Sequence, residues 1–414
     1  MRPLVWFRTD LRVSDNTALH EAAAAAKRGV VAVFVVCAQQ WRDEHDWGPM
    51  KADFMLRNVA QLSESLSKRN IALRMVRCKT FDDVPKALVK LAKAEECDAL
   101  YFNDEHELNE RRRDEATEDA FDSAGIDVHR FNDATIFEPG SVLTGDGRTY
   151  TVYSPFKKRW KAQWQDGDER PVLATPKKQA EMIGKPDDVP SVDELKAFDT
   201  SREHATRPDL WKAGESVASG LLGAFVQHRI DDYKADRDYP WKPGTSGLSP
   251  YLAAGVLSPR QCLSAAMDAN NGKLDAGSEG AVGFIDEILW REFYHHLTAR
   301  VDRLSMGRNF RPEYDDLDWD EDDDRLEAWQ NGQTGYPIVD AAMRCLNATG
   351  WMHNRLRMVV SMFLTKHLFL HWRHGERYFC NKLVDLDYCS NNGGWQWSAS
   401  TGTDAQPYFR IFNP

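Results

Sequence analysis

The 414-residue chain has no run of eighteen apolar residues, so no segment reads as a helix that crosses a bilayer. Its seven cysteines are odd in number and scattered, without a Cys-x-x-Cys pair. That argues against a disulfide framework and against a zinc site, and predicts reduced thiols in a cytosol-like compartment with no bound metal. Positive charge is in deficit, the net charge being −11. A general nucleic-acid coat is thereby excluded, because neutralising phosphates takes a surplus of Lys and Arg. The opening Met1-Arg2-Pro3-Leu4-Val5-Trp6-Phe7-Arg8 places charges on both sides of an apolar run too short for a secretory signal. The expectation is a soluble, cytoplasmic protein. No Gly-x-Gly-x-x-Gly follows the first apolar run, so the usual dinucleotide fingerprint is missing as well.

What is present divides the chain into unlike parts. Residues 3–7, 30–36 and 98–102 are short, nearly continuous apolar runs, as strands of a parallel sheet covered on both faces require. Between them lie helical patterns, Thr17 to Lys27 with Asp15 as its expected N-cap, and Met50 to Arg69. Alternation of this kind predicts a doubly wound α/β domain over residues 1–130. From 131 to 204 Pro, Gly, Lys and Asp recur, which predicts a long connector. Residues 205–414 carry helical patterns almost throughout and form an expected all-helical domain. Charge is uneven: residues 313–327 hold ten acids and one base, an expected solvated loop, whereas from Asp340 onward eight bases face five acids. A modest DNA-binding face on the C-terminal half is compatible with that balance.

The chemistry concentrates in the same half. Asn381 to Trp397 packs Asp385, Leu386, Asp387, Asn391, Trp395 and Trp397 into one short stretch. Acids and amides there can hydrogen-bond the edge of a planar heterocycle and sugar-like hydroxyls, and indoles two apart can stack on bases or pass electrons. Glu287, Trp290, Arg291 and Tyr294 fall on one face of an expected helix by the i, i+3, i+4 rule. Taken alone, that face suits a Glu287–Arg291 ion pair equally well. Thr245-Ser246-Gly247-Leu248-Ser249-Pro250 suits a loop entering a helix whose free N–H groups favour a phosphate. Asn354 and Arg357, three apart, share a helix face, from which Arg355 is expected to point away.

The Asn381–Trp397 segment, with Thr334-Gly335-Tyr336-Pro337, Trp351 to Met358, Thr401-Gly402-Thr403-Asp404 and Arg410-Ile411-Phe412-Asn413-Pro414, resembles the signature of the DNA photolyase/cryptochrome family. The resemblance implies an N-terminal antenna domain and a C-terminal helical domain holding FAD, with further helices beyond Pro414, where this sequence stops. It implies that Tyr233 and Thr245 to Ser249 grip the cofactor's diphosphate side, and that Glu287, Arg291, Asn354, Arg357, Asp385, Leu386 and Asp387 surround the rest. Asn391 matches the residue facing flavin N5, and Arg357 can balance a reduced, anionic ring. Trp290 and Trp397 would clamp a flipped-out pyrimidine dimer, with Glu287, Arg291, Tyr294, Asn354, Arg355 and Met358 around it. Among fourteen tryptophans, Trp395, Trp372 and Trp319 match an electron relay to the surface.

In the N-terminal part, Leu108 to Asp114 resembles the antenna motif of folate-binding photolyases, with Asn109, Glu110 and His45 as contacts for 5,10-methenyltetrahydrofolate. Ser305 and Met306 depart from the cysteine and lysine common there, which keeps a deazaflavin antenna open. Met358 in Asn354-Arg355-Leu356-Arg357-Met358, together with Asn391, resembles the class I cyclobutane-dimer repair enzymes. The implied activity is light-driven repair of cyclobutane pyrimidine dimers in UV-damaged DNA, by a monomer. The alternative from another class is a cryptochrome-type photoreceptor without repair.

Overall fold

The computed structural model describes residues 1–167 and 170–414. Five strands, Pro3–Phe7 (β1), Val31–Val36 (β2), Ala72–Arg77 (β3), Ala99–Asn103 (β4) and Asp127–Phe131 (β5), pair in parallel in the order β3-β2-β1-β4-β5. β1, β2 and β4 are buried along their whole length, which is why their sequences carry almost no polar residue. β3 and β5 lie at the sheet edges and are partly exposed, so polar residues interrupt them and the apolar-run criterion passes over both. The strand order reverses between β1 and β4, which opens a crevice at their carboxyl ends, the usual ligand position in such sheets.

The helix after β1 is Thr17–Ala25, and its N-cap is Asn16, not the expected Asp15. Asn16 Oδ1 accepts from the Leu19 amide at 3.0 Å, while Asp15 is fully buried with φ of 53° and turns its carboxylate elsewhere. It meets Arg260 at 3.1 Å and the Ser258 hydroxyl, both from the helical half. Arg260 also reaches Asp133 at 2.5 Å, and Arg12 pairs with the same Asp133. Removing one partner would leave a buried charge uncompensated, so this cluster fixes how the two halves meet.

Within 131–204 lies the helix Tyr153–Gln165, an element not expected from composition. It packs on the 22-residue helix Glu279–Arg300, where the Trp160 indole donates to Glu292 at 2.6 Å. From 205 onward helices dominate, and one isolated bridge, Asp320 to Leu370, is the sole strand-like pairing among the described residues there. Tyr388–Ala399 packs against Glu279–Arg300 and is itself flanked by Asn354–Met362 and Trp372–Lys382. The acidic run 313–327 is mostly exposed but not all loop, since its end begins the helix Asp323–Gln330. No described helix is long and apolar enough to cross a membrane.

Candidate functional site

A cavity of about 500 Å3 opens in the helical half. Tyr233 and Arg237 line it from the short helix Tyr233–Asp236 and its C-cap. The loop Thr245-Ser246-Gly247-Leu248, with Gly247 at φ 70°, leads into Ser249–Ala253 along another wall. Glu287, Trp290, Arg291 and Tyr294 project from Glu279–Arg300, as their spacing on one helix face requires. Asn354, Arg357 and Met358 come from Asn354–Met362, and Arg355 joins them at the rim, where it pairs with Asp238 at 2.6 Å rather than pointing away. Asp385, Asp387, Asn391, Trp395 and Trp397 complete the wall. Of the residues assigned to the cofactor, Leu386 alone lies outside; it faces a second cavity, and its carbonyl accepts from Lys51 at 2.6 Å.

Charge is arranged in pairs around this space. Glu287 does not pair with Arg291; it accepts from Arg237 at 2.5 Å, and Arg291 instead reaches Asp387 at 3.2 Å and the Ala134 carbonyl at 2.6 Å. Burial acts to raise the Asp387 carboxyl, but His295 at 2.9 Å and the Arg291 guanidinium hold it well below the usual carboxylate range. Burial pushes His295 down, so it serves as a neutral imidazole donor. His295, Asp387 and Cys389 place three possible metal-ligand atoms near one another, but a guanidinium already occupies that carboxylate, which leaves little for a cation.

Arg357 donates to Asp385 Oδ2 at 2.7 Å and to the Met352 carbonyl at 2.8 Å. The other oxygen, Asp385 Oδ1, is buried and has no hydrogen-bond partner. Leaving a buried acceptor unpaired costs about 1–3 kcal/mol, more for a charged group. A heterocyclic N–H or a ribityl hydroxyl in the cavity would satisfy it, so these residues fit a flavin. Asn391 donates its amide to the Glu376 carbonyl at 3.2 Å and to Cys380 Sγ at 3.4 Å.

The two indoles assigned to the lesion line the same cavity. Trp290 is held by a residue that sequence reasoning missed: Tyr153 stacks on it at 3.6 Å between ring centroids, 12° from parallel. Tyr153 sits in the stretch expected to be connector, and its one sequence signal is the aromatic spacing Tyr153, Phe156, Trp160 and Trp164. Arg237 was missed too, though it lies only four residues past Tyr233.

Trp395 is buried against Gly375, where any side chain would collide with the indole. Gly375 lies one turn into the helix that starts at Trp372. Trp372 is fully buried, its indole donating to Asn309 at 2.9 Å, and the His371 ring lies 5.7 Å from it and 5.3 Å from Trp319. Trp329 was not singled out, yet its ring is 6.0 Å from Trp395.

The second cavity, about 350 Å3, lies at the carboxyl ends of β1 and β4 and reaches the helical half. His45, Asn109 and Glu110 all line it, with Met306 at its edge. Burial opposes charge on His45, but Glu110 at 2.8 Å outweighs it and pushes the imidazole up to about 9. Lys51, fully enclosed, is pushed down to about 8 by burial despite the acids nearby. Ser305 caps the helix that carries Asn109 and Glu110 by accepting from the Leu108 amide at 3.2 Å. Arg291, Asp387, Leu252 and Ala253 border both cavities, so one thin wall separates them.

Two family models match this chain: "DNA photolyase" over residues 3–177 and "FAD binding domain of DNA photolyase" over 284–414. It is 43% identical to a deoxyribodipyrimidine photo-lyase of Vibrio cholerae, the match covering 99% of this chain and 86% of the relative. Identity to the Escherichia coli protein of the same name is 40%, over 99% of this chain and 84% of that one. Among solved structures, a bacterial class III photolyase from Agrobacterium tumefaciens superposes with a TM-score of 0.85 at 34% identity, covering 100% of this chain and 82% of the other. An archaeal photolyase from Sulfolobus tokodaii, solved with two FAD molecules, gives 0.80 at 31% identity, covering 100% and 86%. Models that match both halves, and relatives alike along almost the whole length, agree with the two-part fold and its cavity: this chain belongs to the DNA photolyase family.

Proposed function

We propose that the chain repairs cyclobutane pyrimidine dimers in UV-damaged DNA, using light and an FAD held in the 500 Å3 cavity. The observation that carries this reading is one space that holds both a flavin-compatible acid, amide and guanidinium set and two indoles able to clamp the two linked pyrimidines of an extruded dimer. When bound and reduced, FAD supplies the electron that opens the dimer under illumination and takes it back afterwards.

The chain's own residues do the rest. Asp385 and Arg357 hold the cofactor's polar edge, Asp387 is pinned by His295 and Arg291, and Thr245 to Ser249 with Tyr233 receive the phosphate side. Trp290, buttressed by Tyr153, and Trp397 stack on the extruded dimer, each such contact being worth about 1–3 kcal/mol. Glu287, held by Arg237, hydrogen-bonds the lesion's carbonyl edge, with Tyr294, Asn354, Arg355 and Met358 closing around it. Trp395, Trp372 and Trp319 carry electrons inward from the surface to restore the reduced cofactor. The second cavity takes an antenna chromophore, 5,10-methenyltetrahydrofolate or alternatively a deazaflavin, against His45, Asn109 and Glu110. The protein works as a monomer.

The test is dimer content in a UV-irradiated oligonucleotide, incubated with pre-reduced protein in blue light and in the dark. Loss of dimers in light alone is expected. Unchanged dimers in light, with the flavin bound and reduced, would leave a photoreceptor without repair.

A further inference from the structure

Two thiols outside the flavin cavity meet where β2 and β3 end. The register ends by pairing Val36 with Arg77, a pair closed by the Cys78 amide donating to the Val36 carbonyl at 3.0 Å, so Cys37 and Cys78 are the next residues in register as the two strands end. Side chains at adjacent register positions leave the same face of a sheet, and neighbouring strands lie about 4.8 Å apart. That spacing falls inside the Cα separation, roughly 4.4–6.8 Å, that a disulfide spans. Both thiols are reduced.

Their environments differ in the way a reactive pair requires. Cys37 is buried on the wall of the second cavity, 3.9 Å from the Thr80 carbonyl, whereas Cys78 is partly exposed. Interaction with the Cys37 thiol lowers the Cys78 thiol, and the Cys78 thiol together with burial raises that of Cys37. Each cysteine also opens a segment that faces the cavity. Cys37 precedes Ala38–Asp43 and so leads to Trp41 and His45, and Cys78 leads to Phe81, whose ring lies 5.3 Å from His45.

We propose that Cys37 and Cys78 form an oxidisable dithiol that reacts with low-molecular-weight disulfides and ties these two segments together. The Cys78 thiolate attacks one sulfur of the reagent disulfide, forming a mixed disulfide and releasing one thiolate. Cys37 gives its proton to that thiolate and attacks Cys78 Sγ, which forms the protein disulfide and releases the second sulfur as a thiolate that takes from solvent the proton Cys78 gave up on ionising. Two protein thiols are oxidised to one disulfide, and one reagent disulfide is reduced to two thiols.

The experiment treats the flavin-loaded protein with oxidised glutathione, alkylates it in denaturant and maps the peptides. A Cys37–Cys78 linkage that dithiothreitol reverses is expected, with five of the seven thiols still alkylated. The Cys37→Ser variant should stop at a Cys78–glutathione mixed disulfide, and flavin absorbance confirms that it folds. Hydrogen exchange over residues 38–47 and 79–84 should slow on oxidation. Full alkylation of both Cys37 and Cys78 in the treated protein would overturn the site, and unchanged exchange would overturn the tie.

Discussion

Replacing Trp290 with alanine separates lesion recognition from everything else the cavity does. The indole stacks on Tyr153 at 3.6 Å on one side and borders the cavity on the other. Losing the internal stack costs about 0.5–1.5 kcal/mol of packing preference, which acts on folding stability. Losing the stack on the extruded dimer costs about 1–3 kcal/mol of binding, which is a roughly 5- to 140-fold rise in Kd for damaged DNA. The residues that fit the flavin, Asp385 and Arg357, hang on other elements and keep their 2.7 Å pair. Flavin content should therefore stay at the wild-type level. Binding to undamaged DNA, which depends on phosphate contacts, should change little. The assay is equilibrium titration of a dimer-containing oligonucleotide and its undamaged counterpart at one fixed salt concentration, with flavin absorbance recorded for each preparation. An unchanged Kd for damaged DNA, or an equal loss for both oligonucleotides, would refute the clamp.

Trp395→Phe keeps an aromatic ring against Gly375 but removes the oxidisable indole, so photoreduction of oxidised flavin with an external donor should slow sharply. Repair by chemically pre-reduced Trp395→Phe protein should persist, and its loss would give Trp395 another role. The double variant Asn109→Ala, Glu110→Ala should lose any pterin absorbance while direct flavin-driven repair continues; retained pterin would count against that cavity as its site. The His45–Glu110 pair predicts a pH effect with a definite sign. His45 is raised in the folded state from 6.5 to about 9, so its stabilisation is complete below pH 6.5 and fades as pH rises through 9. Thermal melts of the wild type should show an extra loss between those limits that His45→Gln lacks, and matching pH profiles would contradict the pairing.

The sequence was most legible where one physical demand acted alone. β1, β2 and β4 announce themselves because burial on both faces forbids polar residues. β3 and β5, at the edges, tolerate Arg and Asp and lose that mark. Asp15 looks like a cap by type, but a buried arginine from the other half of the chain claims it, and the neighbouring Asn16 takes the role. The same non-local competition decided the pairs in the cavity. Glu287 and Arg291 stand one turn apart, yet each finds a better partner across the fold, Arg237 and Asp387. Tyr153 shows the limit most clearly. Its aromatic spacing marks a helix face, but its stack on Trp290 joins distant parts of the chain and has no local signature.

Light-driven repair returns its electron to the flavin, so turnover should proceed without spending reductant. Pre-reduced protein, freed of dithionite and kept without oxygen, would be given a large excess of dimer-containing oligonucleotide under blue light. Many dimers split per bound flavin, with the reduced flavin spectrum unchanged at the end, is the predicted result. One dimer per flavin, with the flavin left oxidised, would contradict it.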